Sequence, residues 1–215
     1  MRAPAFGEGS LVPAILTARM QRMILCTGNP GKVKELRALL PAGVELVSLA
    51  DTGLPMELPE TGPTLEANAL QKARFVFERT GEPCIADDTG LEVEALHGAP
   101  GVFSARYAGE EKDPRANMTR LLKELEGRTD RQARFRTVIA FVSENVEHTV
   151  SGEVRGSITH EPRGDGGFGY DPVFLPEMSD ITFAQMGAKT KNAISHRGQA
   201  IWRLMSWLAE DQRVR

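Results

Sequence analysis

The chain has only two cysteines, Cys26 and Cys84, and neither sits in a CxxC pair. That spacing offers no disulfide framework and points to a reducing compartment. Basic residues are not in surplus: 26 Lys plus Arg face 29 Asp plus Glu, a net charge of −3. The basic stripe of a general DNA or RNA binder is missing, so no nucleic-acid partner is expected. No apolar stretch approaches the roughly 20 residues of a membrane-spanning helix, so no membrane partner is expected either. The start of the chain contains only the short apolar run Leu11–Leu16, interrupted by Pro13, and no cleavage-like site after a basic start. A signal peptide is therefore not expected. Residues 1–20 read as a disordered N-terminal extension, with Met20 or Met23 as an alternative start, and the cytoplasm is the expected location. Internal repeats and low-complexity segments are absent. No second histidine lies at ligand spacing from His196, which disfavours zinc.

What remains is a chain of 215 residues, long enough to bury a sizeable core. Residues 21–215 read as one domain. Met23–Thr27 is a short apolar strand, and Asn29 and Pro30 open a helix with Val33, Leu36 and Leu40 on its apolar side. Val44–Val47 is a second strand, and Leu54–Pro63 is a Pro/Gly-rich loop. Thr64 opens an Ala-rich helix ending near Gly81. Pro83–Ala86 reads as a strand running into a sharp acidic turn, Asp87-Asp88-Thr89-Gly90, with a strand again over Leu91–Leu96. Asp113 and Pro114 begin a helix that Gly127 stops. Ala133–Ser143 alternates in the β manner and pairs with Thr149–Ile158 as an antiparallel hairpin. A single last helix runs from about Asn192 to Ala209. Early strands alternating with helices and a later hairpin give an α/β fold: a central mixed sheet with flanking helices, split into two lobes by a cleft.

Two segments carry ligand chemistry. Thr27-Gly28-Asn29-Pro30-Gly31-Lys32 is a strand-to-helix turn, where helix N-termini favour anions. Lys32 adds a point charge for a phosphate. Only Asn29 and Pro30 separate Gly28 from Gly31, and Val33 replaces the Ser or Thr of a Walker A loop, so this is not that motif. The plain alternative is a capped helix with a surface Lys32–Glu35 pair. Far along the chain, Phe168-Gly169-Tyr170-Asp171 with Lys191, Ser195, His196 and Arg197 reads as a purine pocket. Phe168 offers a face for stacking, worth about 1–3 kcal/mol per base. His196 and Arg197 are expected to aim donors at a base keto oxygen. Packing of Phe168 and Tyr170 in a core is the alternative. A base reader and a phosphate reader together imply a nucleoside phosphate ligand.

Asp87 and Asp88 suit Mg²⁺, or a water deprotonated by one of them, although Asp and Gly are common in plain turns. Glu60 is a candidate second metal ligand that composition alone leaves as a solvated loop acid. Arg106, in Ala99-Pro100-Gly101-Val102-Phe103-Ser104-Ala105-Arg106-Tyr107, reads equally as a phosphate contact or a structural ion pair.

Taken together, Thr-Gly-Asn-x-Gly-Lys, Ile-Ala-Asp-Asp-Thr-Gly-Leu, Gly-Ala-Pro-Gly-Val-Phe-Ser-Ala-Arg-Tyr, Gly-Gly-Phe-Gly-Tyr-Asp-Pro and Ile-Ser-His-Arg-Gly-Gln-Ala resemble the inosine triphosphate pyrophosphatase family. The resemblance runs from Ile24 to the last helix and looks closest to the bacterial branch. It implies an elongated α/β homodimer with a central cleft. The implied activity is Mg²⁺-dependent cleavage of ITP, dITP and XTP, between the α and β phosphates, to a nucleoside monophosphate and pyrophosphate. Carried over by position, Asp88 is the general base and, with Glu60, a metal ligand. Thr27 to Lys32 hold the triphosphate, Lys32 also acting in catalysis. Thr89, Phe168, Gly169, Tyr170, Asp171, Lys191, His196 and Arg197 contact substrate. One departure is Ala67, where the family usually has Glu. Rival expectations are a pyrophosphatase for other modified nucleotides and a nucleotide sensor without turnover.

Overall fold

A computed structural model describes residues 22–41 and 43–214 of the protein. The readings made for residues 1–20 lie outside the described residues. Strand β1 (Arg22–Leu25) runs into helix α1 (Pro30–Leu39), followed by β2 (Glu45–Ser48). Helix α2 (Leu65–Thr80) leads to β3 (Cys84–Val93), and the two-residue strand β4 (Pro100–Gly101) pairs with it. Helix α3 (Pro114–Glu124) precedes the long strands β5 (Gln132–Ser143) and β6 (Val146–Ile158), and β7 (Phe174–Pro176) follows. Helices α4 (Ala188–Ile194) and α5 (His196–Val214) close the chain. Among the described residues no helix is long and apolar enough to cross a membrane.

The strands form one sheet in the order β2-β1-β3-β5-β6-β7. β1 pairs parallel to β2 and β3, and the remaining pairings are antiparallel, so the mixed sheet expected from the sequence is present. Because β1 lies between β2 and β3, the chain winds to one side through α1 and crosses back through α2. Such a switch point opens a crevice beyond the carboxyl ends of the strands. Strand alternation then sorts the side chains by face. Met23, Leu25, Ile85, Ile139 and Phe141 pack under Leu36 of α1 and Ile201, Leu204 and Leu208 of α5. Ile24, Cys26, Cys84, Ala86, Val138 and Ala140 pack under Leu65, Ala69, Ala73 and Val76 of α2. A third cluster at the far end joins Leu91, Val93, Phe135 and Phe174 to Leu121 and Leu125.

Two readings are corrected here. Asp87–Gly90 is not a turn: β3 is continuous from Cys84 to Val93, in register with β5 from Cys84↔Val142 to Val93↔Ala133. A full ladder on one edge outweighs the local turn preference of Asp and Gly. The last helix is two, because Ser195 is extended at φ −69° and ψ 154°. Its hydroxyl accepts the Gly198 amide at 3.0 Å and so starts α5 afresh.

Candidate active site

Adjacent residues of a strand point to opposite faces. Asp87 and Asp88 therefore part company. Asp87 turns toward α1 and α5, where Arg197 contacts its Oδ2 at 3.1 Å and the Lys32 ammonium lies 3.3 Å from Oδ1. Burial alone would raise its pKa, but Lys32, Arg197 and Lys72 hold it well below the ordinary carboxylate value. Asp87 is thus an ionised, paired anchor and is not available as a proton acceptor. Asp88 turns toward α2, where the Asn68 amide donates to its Oδ2 at 3.2 Å and Lys72 lies 3.3 Å from Oδ1. Burial raises its pKa, with Lys72 and Lys32 only partly offsetting that. A carboxylate with a raised pKa beside a crevice suits proton abstraction.

Lys72 is the group that sequence reasoning missed. Its ammonium reaches the Asp87 carbonyl at 2.8 Å and Glu60 Oε1 at 2.5 Å as well as Asp88. Burial works to lower its pKa, yet Asp88, Glu60 and Asp87 more than compensate and raise it. Asn68 was missed too. It also accepts the Gly62 amide at 2.7 Å, tying the 54–63 loop to α2 beside Ala67. The signal was present in retrospect: Asn68 and Lys72 lie four apart on α2 and so share one face.

β1 ends at Leu25, so the Asp87 carbonyl beyond it has no strand neighbour on that side, and Lys32 approaches it at 3.4 Å. Lys32 is lowered in pKa, chiefly by burial. Thr27 and Asn29 shape the turn: Thr27 Oγ1 accepts the Asn29 amide at 3.2 Å, and Asn29 Oδ1 accepts the amides of Gly31 at 2.9 Å and Lys32 at 3.2 Å. Pro30 takes the first helical position. The amides of Asn29, Gly31 and Lys32 are therefore bonded within the turn. Glu35 does not pair with Lys32. It reaches across to Lys191 at 2.6 Å and to Arg197.

At the other end, Asp171 organises the 166–171 loop, accepting the Phe168 amide at 2.7 Å and pairing with Lys191 at 2.6 Å. Gly167 and Gly169 adopt φ of 69° and 63°, which glycine permits at little cost. Tyr170 is a core residue whose hydroxyl donates to the Ser104 carbonyl at 2.9 Å, so it is not a base contact through its ring. Phe168 is half-buried, with its ring over Gly31 and the Lys191 ammonium 5.1 Å from its centroid. A Cβ at Gly31 would fall 2.7 Å from the Phe168 Cδ1. Gly31→Ala should therefore displace the ring and weaken inosine monophosphate binding by about tenfold, given a stack worth about 1–3 kcal/mol. Calorimetry checks this, and an unchanged affinity would detach Phe168 from the base.

The roles expected of His196 and Arg197 side chains need correction. Arg197 is 1% exposed and engaged with Asp87, Glu35 and Thr89. His196 is 2% exposed and stacked on Phe135 with centroids 4.7 Å apart. Burial, with Arg197 and Lys191 nearby, lowers its pKa well below the usual value, so the ring is neutral. Neither side chain aims a donor at a base. Thr89 likewise points inward, contacting Thr137 Oγ1 at 2.6 Å and Asp87 Oδ2 at 3.2 Å.

A crevice thus has acidic Asp88 and Glu60 sharing an ammonium, a capped phosphate-type turn, and an aromatic face on a glycine-hinged loop. The model of the Ham1 family matches residues 23–207, which include every one of these groups. The chain belongs to the Ham1 family. Among its relatives are dITP/XTP pyrophosphatases of Porphyromonas gingivalis, 51% identical over 88% of this chain and 98% of that one, and of Bacillus subtilis, 47% identical over 88% and 98%. The Ham1 protein of Staphylococcus aureus superposes with a TM-score of 0.80 at 37% identity, covering 88% of this chain and 99% of that one. The Ham1 members align along nearly their whole length, so the crevice, β3 and the split final helices all fall within the shared fold.

Proposed function

We propose that the protein hydrolyses deaminated purine nucleoside triphosphates, ITP, dITP and XTP, to the monophosphate and pyrophosphate. Such an activity clears these nucleotides from the pool and keeps them out of DNA and RNA. The observation that carries the reading is the separation of the acidic pair by β3: one carboxylate is fixed as an ion, and its neighbour has a raised pKa at the mouth of a phosphate-type turn. The names of the curated relatives supply the substrate class.

In the proposed mechanism Asp88 accepts the proton of a water attacking the α-phosphorus. Lys72 keeps Asp88 oriented and Asn68 holds its second oxygen. The Lys32 ammonium, carried on the first turn of α1, stabilises charge on the departing pyrophosphate. Phe168 stacks the base. A keto oxygen at the purine 6-position meets the main-chain amides of His196 and Arg197 at the N-terminus of α5, where first-turn donors have no intrahelical partner. An amino group there would set donor against donor, at a cost of about 1–3 kcal/mol.

Mg²⁺ fits this donor set. Glu60 and Asp88 already share one cation, the Lys72 ammonium. No group of three or more candidate ligands exists among the described residues. Two carboxylates completed by phosphates and water are a common Mg²⁺ arrangement, whereas an all-protein cage is not needed. When bound, the ion would neutralise phosphate charge and polarise the scissile bond. The family resemblance supports a cytoplasmic homodimer acting on free nucleotides.

The products test the reading. ITP should yield inosine monophosphate and pyrophosphate in equal amounts. Release of orthophosphate with inosine diphosphate would place attack at the γ-phosphorus and refute it. A sensor without turnover is disfavoured, because binding alone needs no carboxylate of raised pKa.

A further inference from the structure

We propose that Arg106 is a substrate-binding residue whose guanidinium receives phosphate oxygens at the pyrophosphate end of the triphosphate. The inference deepens the pyrophosphatase reading and rests on it.

Arg106 closes a short 3-10 turn, Ser104–Arg106, beside α3 and β3. From there it meets Glu60, with Nη2 donating to the Glu60 carbonyl at 3.4 Å and Nη1 3.6 Å from Oε2. The second separation is an ion pair without a hydrogen bond. Lys72 holds the same carboxylate at 2.5 Å, so Glu60 does not depend on Arg106. A guanidinium carries five donors. The Glu60 carbonyl is the one hydrogen-bond acceptor Arg106 finds among the described residues.

The other cations of the crevice are engaged more closely. Lys32 and Arg197 hold Asp87, Lys72 holds Glu60 and Asp88, and Lys191 holds Glu35 and Asp171. Their side chains are 14%, 1%, 5% and 5% exposed, against 18% for Arg106. Arg106 is thus the most accessible cation of the set and the one with most spare donors. It is also restrained: its guanidinium lies 5.3 Å from the Phe103 ring centroid, which favours a position over the ring. Following the ion pairs from Asp171 through Lys191, Glu35 and Arg197 to Asp87, then the Lys72 hydrogen bond to the Asp87 carbonyl and the Lys72–Glu60 pair, Arg106 stands at the opposite end from the base loop. A planar fork with free donors at that end suits phosphate.

The test is calorimetric binding of inorganic pyrophosphate and of inosine monophosphate in EDTA, comparing wild type with Arg106→Ala and Arg106→Lys. The expected result is a loss of about tenfold or more in pyrophosphate affinity for Arg106→Ala, the scale of a charge-assisted hydrogen bond, with inosine monophosphate within about threefold of wild type. Arg106→Lys, which keeps the charge and loses the fork, should recover part of the loss. Unchanged pyrophosphate binding would overturn the proposal. So would an equal loss of both ligands, which marks a structural role or a contact at the base end. If Arg106→Ala does not fold, Arg106→Lys decides by the same contrast. Wild-type turnover of ITP, measured alongside, separates failure of this inference from failure of the pyrophosphatase reading.

Discussion

Asp88→Asn should lower kcat by about 10²–10⁴-fold, the usual contribution of a positioned general base, while nucleotide affinity stays within about tenfold. The substitution keeps shape and the Asn68 contact but removes the proton acceptor. Lys72 retains Glu60 as a partner at 2.5 Å, so the lysine is not left without a counter-ion. The pH dependence follows from the same environment. Burial raises the Asp88 pKa, and the base works only when ionised. Activity should therefore fail on the acid side at a higher pH than an unperturbed aspartate would set. Lys72→Met removes the cation that restrains this shift, so the acid limb should move to still higher pH. A movement to lower pH would show that another group is the base. Full turnover by Asp88→Asn would show the same more directly.

Arg197→Met should destabilise the protein by about 3–5 kcal/mol, because removing a cation from a buried charge network leaves an excess of buried negative charge. The guanidinium is fully buried and meets both Asp87 and Glu35, so two carboxylates each lose one of two cations, Asp87 keeping only Lys32 and Glu35 only Lys191. For a domain of this size about 2–4 °C of Tm accompanies each kcal/mol, so the melting temperature should fall by about 6–20 °C. Arg197→Lys should be damaging as well, since an ammonium cannot span both acids as a fork does. A Tm within about 3 °C of wild type would mean that the Asp87–Arg197–Glu35 contacts contribute little, contrary to the burial argument. If they do contribute, β3 and α5 are held together by charge at the point where the hydrophobic cluster under α5 ends.

Much of the architecture was legible because local signals agreed with the final packing. Asn29 with Pro30, and Thr64 with Gly81, are helix caps that the structure uses at those positions. The β5–β6 hairpin follows the alternation of Phe135, Thr137, Ile139 and Phe141. Where the sequence misled, a long-range interaction had overruled a local one. Asp87-Asp88-Thr89-Gly90 has turn composition, but pairing with β5 made it strand and sent the two carboxylates to opposite faces. Lys72 reads as an ordinary surface lysine of an Ala-rich helix. Its burial becomes intelligible only once Glu60 and Asp88, distant in sequence, are seen around it. Arg197 reads as a base contact because arginine so often is one, yet its partners Asp87 and Glu35 lie more than half the chain away. Ion pairs between remote segments leave no periodic trace, which is why most charges of the site were found from the sequence but neither Lys72 nor their pairing.

The most direct test of the central claim is pyrophosphate release from ITP, XTP, dITP, ATP and GTP, each measured with Mg²⁺ and with EDTA. The account predicts that turnover of the first three with Mg²⁺ exceeds that of ATP, whose 6-amino group sets donor against donor, by about a hundredfold or more, within the range that hydrogen-bond recognition can reach. It predicts loss of that turnover in EDTA. Equal hydrolysis of all five would contradict recognition of the keto group at the α5 N-terminus, and hydrolysis undiminished in EDTA would contradict the role given to Glu60 and Asp88.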